Sequence, residues 1–89
     1  MEQSICPVDM ICVCSANGDI RPLRFRMEDE KHRLLAVDID EVISSRLIQY
    51  VGIEARVFLC RATVEGQKRL FELKYTIRSH KWSLHRKVY

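Results

Sequence analysis

The stretch from Ala55 to Leu84, ARVFLCRATVEGQKRLFELKYTIRSHKWSL, decides the fold. Phe58, Cys60 and Ala62 alternate with Leu59, Arg61 and Thr63. Phe71, Leu73, Tyr75 and Ile77 alternate with Glu72, Lys74, Thr76 and Arg78. Trp82 and Leu84 then alternate with Lys81, Ser83 and His85. Period-two alternation marks a strand with one buried face. A turn at Gly66-Gln67 sets Ala62 opposite Phe71, Cys60 opposite Leu73 and Phe58 opposite Tyr75, so apolar meets apolar. On the other face it sets Arg61 opposite Glu72, an opposite-charge pair worth ~0.2–1 kcal/mol. A turn at Ser79-His80 sets Ile77 opposite Trp82 and Tyr75 opposite Leu84. Ser-His fits the primed hairpin turns poorly, so a longer loop is allowed there. A slip of one residue would turn every one of these side chains over. Two hairpins that agree on their faces predict a three-stranded meander.

Upstream, Val8 to Cys14 is apolar on both faces, and Ser15-Ala16-Asn17-Gly18-Asp19 follows. Asn-Gly between apolar runs predicts a type I′ hairpin, because both central residues of that turn need positive φ. Centring the turn there sets Cys12 opposite Leu23 and Met10 opposite Phe25. Pro22 requires an edge or a bulge, since it has no N–H to donate. Glu28-Asp29-Glu30-Lys31-His32 reads as a charged turn, and Arg33 to Asp40 as a strand with Leu35, Val37 and Ile39 inside. The segment 40–52 is ambiguous. Ile43, Leu47 and Val51 recur at helical spacing, yet Val42, Ile43, Ile48, Tyr50 and Val51 are good strand residues. The preferred reading is an extended, bulged connection turning near Gly52, with at most one short helix at 40–52.

These elements predict one all-β domain over 1–89, with residues 1–7 and 86–89 as tails. The expected architecture is a small antiparallel barrel of five or six strands, SH3-like or Sm-like, with an OB-like barrel as the alternative. Eighty-nine residues allow a real but thin core. No run approaches the length of a membrane span, and the first ten residues, MEQSICPVDM, lack the basic and apolar regions of a signal peptide. A cytoplasmic protein with reduced thiols is expected.

The net charge of +3 conceals an asymmetry. Residues 1–45 carry five Lys/Arg against nine Asp/Glu, and residues 46–89 carry ten against three. Such a contrast can mark a nucleic-acid surface. Arg61, Lys74, Arg78 and Lys81 are the candidate nucleic-acid contacts, because alternation puts them on outer faces or at a turn. Against this, Phe25, Phe58, Phe71, Tyr75 and Trp82 all fall on inner faces. That leaves Tyr50 and Tyr89 as stacking platforms for bases.

Other chemistry is weaker still. Cys12 and Cys14 are spaced C-x-C, Cys6 lies further back and Cys60 stands alone, unlike the paired spacing of a zinc site. The registers place Cys12 and Cys60 in the core as small hydrophobes. His32, His80 and His85 read as surface residues without triad partners. Asp38, Asp40 and Glu41 read as a solvated face. No phosphate loop, nucleophile elbow or dinucleotide motif is present. No catalytic residue, cofactor or metal is assigned.

Two stretches carry a resemblance. The F-x-C, E-L-x-Y and W-x-L elements of 55–84 resemble a family of small uncharacterised bacterial barrel proteins. Ser15 to Ile43, with S-A-N-G-D-I-R-P-L and V-D-I-D-E-V-I, is faintly similar to the WYL domain, a Sm-like barrel of bacterial transcription regulators. Here the Lys81-Trp82-Ser83-Leu84 element follows V-D-I-D-E-V-I, whereas in that domain W-Y-L precedes it. No site residue carries over. The expected function is therefore a non-enzymatic interaction module, with an unidentified protein partner or self-association as a homodimer. Binding of single-stranded nucleic acid by the basic face is the alternative, and no membrane partner is expected.

Overall fold

A computed structural model describes residues 6–28 and 31–88. The expected tail residues 1–5, the turn residues 29 and 30, and Tyr89 lie outside that range. The chain is all-β and barrel-like. Its strands are β1 (Cys6–Pro7), β2 (Asp9–Cys14), β3 (Ile20–Glu28), β4 (Leu34–Tyr50), β5 (Ile53–Val64), β6 (Gln67–Thr76) and β7 (Lys81–Lys87). All pairs are antiparallel, in the order β1-β7-β6-β5-β4-β3-β2. The two strands at the ends of that order are separated in the chain by Val8 alone, so the sheet curls until its ends meet. There the Val8 N–H donates to the Trp82 carbonyl at 3.2 Å.

The strand count is seven, not five or six. The extra strand is Cys6–Pro7, expected as tail, which pairs with Leu84 and Ser83. The other expected tail is also ordered in part. β7 runs through Arg86 to Lys87, and the Val88 N–H donates to the Leu70 carbonyl at 2.8 Å.

The expected inner faces hold on β3 to β7 but not on β2, where Cys12 is exposed. Phe25, Val37, Phe58, Cys60, Ala62, Phe71, Leu73, Tyr75, Trp82 and Leu84 form one buried cluster. Phe25 meets Phe71 edge-on, with centroids 5.6 Å apart, and Trp82 lies against both Phe58 and Tyr75. Such aromatic pairs add ~0.5–1.5 kcal/mol beyond their burial.

The registers differ from expectation in three places. The β5–β6 turn is Glu65-Gly66, with φ of 51° and 79°, rather than Gly66-Gln67. Cys60 therefore faces Phe71 and Phe58 faces Leu73. A two-residue slide preserves the faces, which is why the core survives it. At the β6–β7 turn, Thr76 pairs with Lys81 and Ile77 to His80 form a four-residue loop, closed by the His80 N–H on the Thr76 carbonyl at 2.9 Å. Tyr75 then faces Trp82. At the first hairpin, Met10 faces Phe25 as expected, but a bulge after Ile11 sets Cys12 opposite Pro22 instead of Leu23. The loop is a three-residue type I turn with only Gly18 at positive φ, 92°, in place of the expected type I′ turn. The bulge accommodates Pro22, whose other side lies beyond the end of the β3–β4 ladder.

The segment 40–52 is strand. β4 continues unbroken to Tyr50, bulged at Ile39/Glu41 and Val42/Ser44, and turns at Val51-Gly52. β3 pairs only with Leu34 to Asp38 of β4, and its ladder ends at Arg24. Beyond that point β4 and β5 form an arm, backed along β5 by β6 as far as Ala55 and two-stranded only from Gln49 to Glu54.

Candidate interaction surface

The arm is where the exposed large apolar side chains gather. Ile43, Leu47, Tyr50, Val51 and Ile53 are all exposed, Leu47 by 52% and Val51 by 81%. Alternation explains the split. Ile48 and Tyr50 face Ala55 and Ile53 on one side of the ladder, and Leu47 faces Arg56 on the other. Ile48 is half-buried beside buried Ala55, where β6 still backs β5, whereas the tip beyond it has no third strand among the described residues. Val51 adds a second feature. It sits at φ 51°, a left-handed conformation that β-branched residues rarely adopt. Asn or Gly would be more stable at that turn position, so an apolar side chain is kept at the tip at a cost of ~1–3 kcal/mol.

The four candidate nucleic-acid residues are only partly brought together. Lys74 pairs with Ser83 and Thr76 with Lys81, so Lys74 and Lys81 share the outer face of β6–β7 as expected. Arg78 is exposed in the adjoining loop. Arg61 lies apart on β5, where its guanidinium forms an ion pair with Glu41. It does not face Glu72, which is opposite Leu59.

Glu72 is the residue that sequence reasoning missed. Its side chain is 8% exposed on the outer face of β6, between Arg46 of β4 at 3.5 Å and Arg86 of β7 at 3.2 Å. Arg46 stands opposite Val57 in the ladder, so its side chain must cross β5 to reach Glu72. Val57, buried although it points outward, lies between Arg46 and Lys74 in the ladder. Burial works against the Glu72 charge, but the hydrogen bonds and charges of Arg86 and Arg46 outweigh it, holding the carboxyl below its ordinary range. The available signal was a lone acid in a strongly basic stretch, since Glu72 is the last acidic residue of the sequence. Glu72 thus neutralises part of the basic face.

The acids at 38–41 are solvated, as expected, but engaged. Arg24 pairs with Asp38 at 3.3 Å, and the Thr63 hydroxyl donates to Asp40 at 2.7 Å. The cysteines divide. Cys60 is buried, with its thiol pushed up to about 12 by desolvation, which makes it unreactive. Cys12 is not in the core, and Cys6, Cys12 and Cys14 are all exposed. The stretch Val8–Cys14 is apolar on both faces, yet only Val8 and Met10 are half-buried, and Ile11 to Cys14 are exposed. Among the described residues no three or more His, Cys, Asp or Glu gather to hold a metal. The histidines also stay apart. His80 Nδ1 lies 2.9 Å from the Tyr75 hydroxyl, His32 lies 3.8 Å from Glu28, and His85 is half-buried on β7. No described helix is long and apolar enough to cross a membrane.

Set against known proteins, the chain matches no family model, no curated protein and no solved structure.

Proposed function

We propose that this chain is a non-enzymatic interaction module that associates with protein through the β4–β5 arm. One observation carries the reading: an exposed apolar hairpin whose tip holds a strained, 81% exposed valine. Exposed apolar clusters of this kind mark association surfaces, and backbone strain at such a place points to function. Val51→Asn is the test. It is expected to raise the melting temperature, because Asn relieves the strain, while removing the chain from any larger complex in a native extract. If wild type and variant migrate alike in the extract, the reading falls.

Within this reading the barrel is of the SH3-like or Sm-like type, as the bacterial families it resembles would have it, and it works in the cytoplasm. Four unbridged cysteines, three of them exposed, fit a reducing compartment.

A second reading rests on Lys74 and Lys81 sharing one outer face beside Arg78. It makes the chain a binder of single-stranded nucleic acid through a basic barrel face. Its weakness is physical. Every ring of the β3, β5, β6 and β7 strands is buried, so no aromatic stands on that face for bases to stack on. A fluorescent oligonucleotide pool at low and at physiological salt distinguishes the readings. The module reading predicts no binding at physiological salt. Affinity that falls steeply with salt and is lost in Lys74→Glu would favour nucleic acid.

A further inference from the structure

The arm has an open edge as well as an apolar surface. β4 is hydrogen-bonded to β5 along its length, but β3 leaves it after Asp38. From Ile39 to Tyr50 the other side of β4 has no strand beside it among the described residues. Monomeric proteins blunt such edges with proline, lysine, bulges or short length. Two bulges guard the beginning of this edge, at Ile39/Glu41 and Val42/Ser44. From Ser44 to Tyr50 the ladder is regular, with Arg46 as its one charged residue and no proline or lysine. Leu47, half-exposed, stands in the middle of it.

We propose that this edge pairs antiparallel with the same edge of a second copy, about a two-fold axis close to Leu47. The proposal rests on the interaction-module reading and names its partner. The charges along the edge choose the occupant. Asp38 is held by Arg24, Asp40 by Thr63, Glu41 by Arg61 and Arg46 by Glu72. An edge whose charges are already engaged within its own chain offers little to a strongly basic or acidic peptide. It matches a strand that is neutral and apolar at the facing positions.

A second copy supplies that strand. About Leu47, within the regular stretch, Leu47 faces Leu47 of the other copy, and Arg46 faces Ile48 twice by symmetry. Ser45 faces Gln49 and Ser44 faces Tyr50. No like charges stand directly opposite. A parallel pairing would instead set the acidic run of Asp38, Asp40 and Glu41 beside itself. The antiparallel arrangement covers the exposed Leu47 and satisfies the open backbone groups, which is the physics of strand addition.

The test uses purified full-length protein without other components. Sedimentation equilibrium from micromolar to near-millimolar concentration is expected to give twice the 10.5 kDa chain mass at the upper end. Leu47→Glu, at an exposed position that the core does not need, is expected to weaken the dimer by ~100-fold or more with an unchanged far-UV spectrum. In parallel, the amide hydrogens of 44–50 in the wild type are expected to exchange more slowly as concentration rises. A wild type that stays monomeric throughout overturns the pairing. Because no extract is involved, that result leaves the Val51→Asn experiment to decide the module reading by itself. A dimer whose 44–50 amides exchange alike at all concentrations, and which Leu47→Glu leaves intact, overturns it too by placing the interface elsewhere.

Discussion

Phe71→Ala is expected to lower the stability of this domain by ~3–5 kcal/mol. Phe71 is buried on β6, faces Cys60 of β5 in the ladder and meets Phe25 of β3 edge-on. β6 and β3 are not neighbours in the sheet, so this ring pair reaches across the interior and ties the two sides of the curl together. Truncation removes the ring's burial and its edge contact and leaves a cavity that a curled sheet cannot easily collapse. A domain of this size has only ~5–15 kcal/mol in total, so the variant stands near the threshold of folding. Urea denaturation followed by Trp82 fluorescence measures the loss. Tyr50→Ser on the arm is the control and should stay within ~0.5 kcal/mol of wild type. Equal losses in both would mean that the core does not lie where the ring pair places it.

The second large effect concerns Glu72. Removing both Arg46 and Arg86 by alanine substitution is expected to cost ~1–3 kcal/mol at neutral pH, because it strips a covered carboxylate of both its partners. Replacing Glu72 instead by Gln should cost less. The two arginines are each more than half exposed and can return to water. The asymmetry is testable within one set of variants, and a triple variant with leucine at position 72 should recover most of the loss.

The pH dependence has a sign that changes between variants. In the wild type the Glu72 carboxyl is held below its ordinary value. Its contribution is complete above the unfolded-state pKa of ~4.3 and is lost as pH falls through the folded value. In the double variant only burial remains, which raises the pKa. Stability should then improve as acid neutralises the group. Urea midpoints between neutral and mildly acidic pH read both trends. Parallel pH profiles in the two proteins would show that the arginines do not hold the carboxylate.

Much of the core was legible from alternation, for a physical reason. Side-chain direction repeats every two residues, so Cys60 points inward whether it faces Leu73 or Phe71. What alternation leaves open is the slide along the ladder, which turn chemistry must supply. Here the β5–β6 turn uses Glu65 at positive φ, and a glutamate is no signal for that conformation. The arm was hidden by its bulges. The irregularities at Ile39/Glu41 and Val42/Ser44 break the period of two, and the remaining spacing of Ile43, Leu47 and Val51 imitates a helix.

Cys12 escapes the core because a bulge after Ile11 sets it opposite Pro22 instead of Leu23, and alternation gives no warning of a bulge. The Glu72 cluster joins residues from three strands, with Arg46 and Arg86 lying 26 and 14 positions away. No local spacing rule reaches that far. Of the basic face, the β6–β7 part followed from one hairpin, while Arg61 depended on Glu41 across a bulged ladder.

The meeting of the sheet's ends at Val8 also has a meaning in time. β2 through β7 assemble by successive hairpins, each joining strands that are neighbours in the chain. The pairing of Cys6 with Leu84 and the Val8 bond to Trp82 do not. They close a loop that contains nearly all the rest of the protein, and loop closure of that length comes after local pairing. During synthesis Cys6 emerges early and Leu84 late, so the first strand waits for almost every other residue before it finds its place. The curl is sealed last, by the strand that was made before the other six.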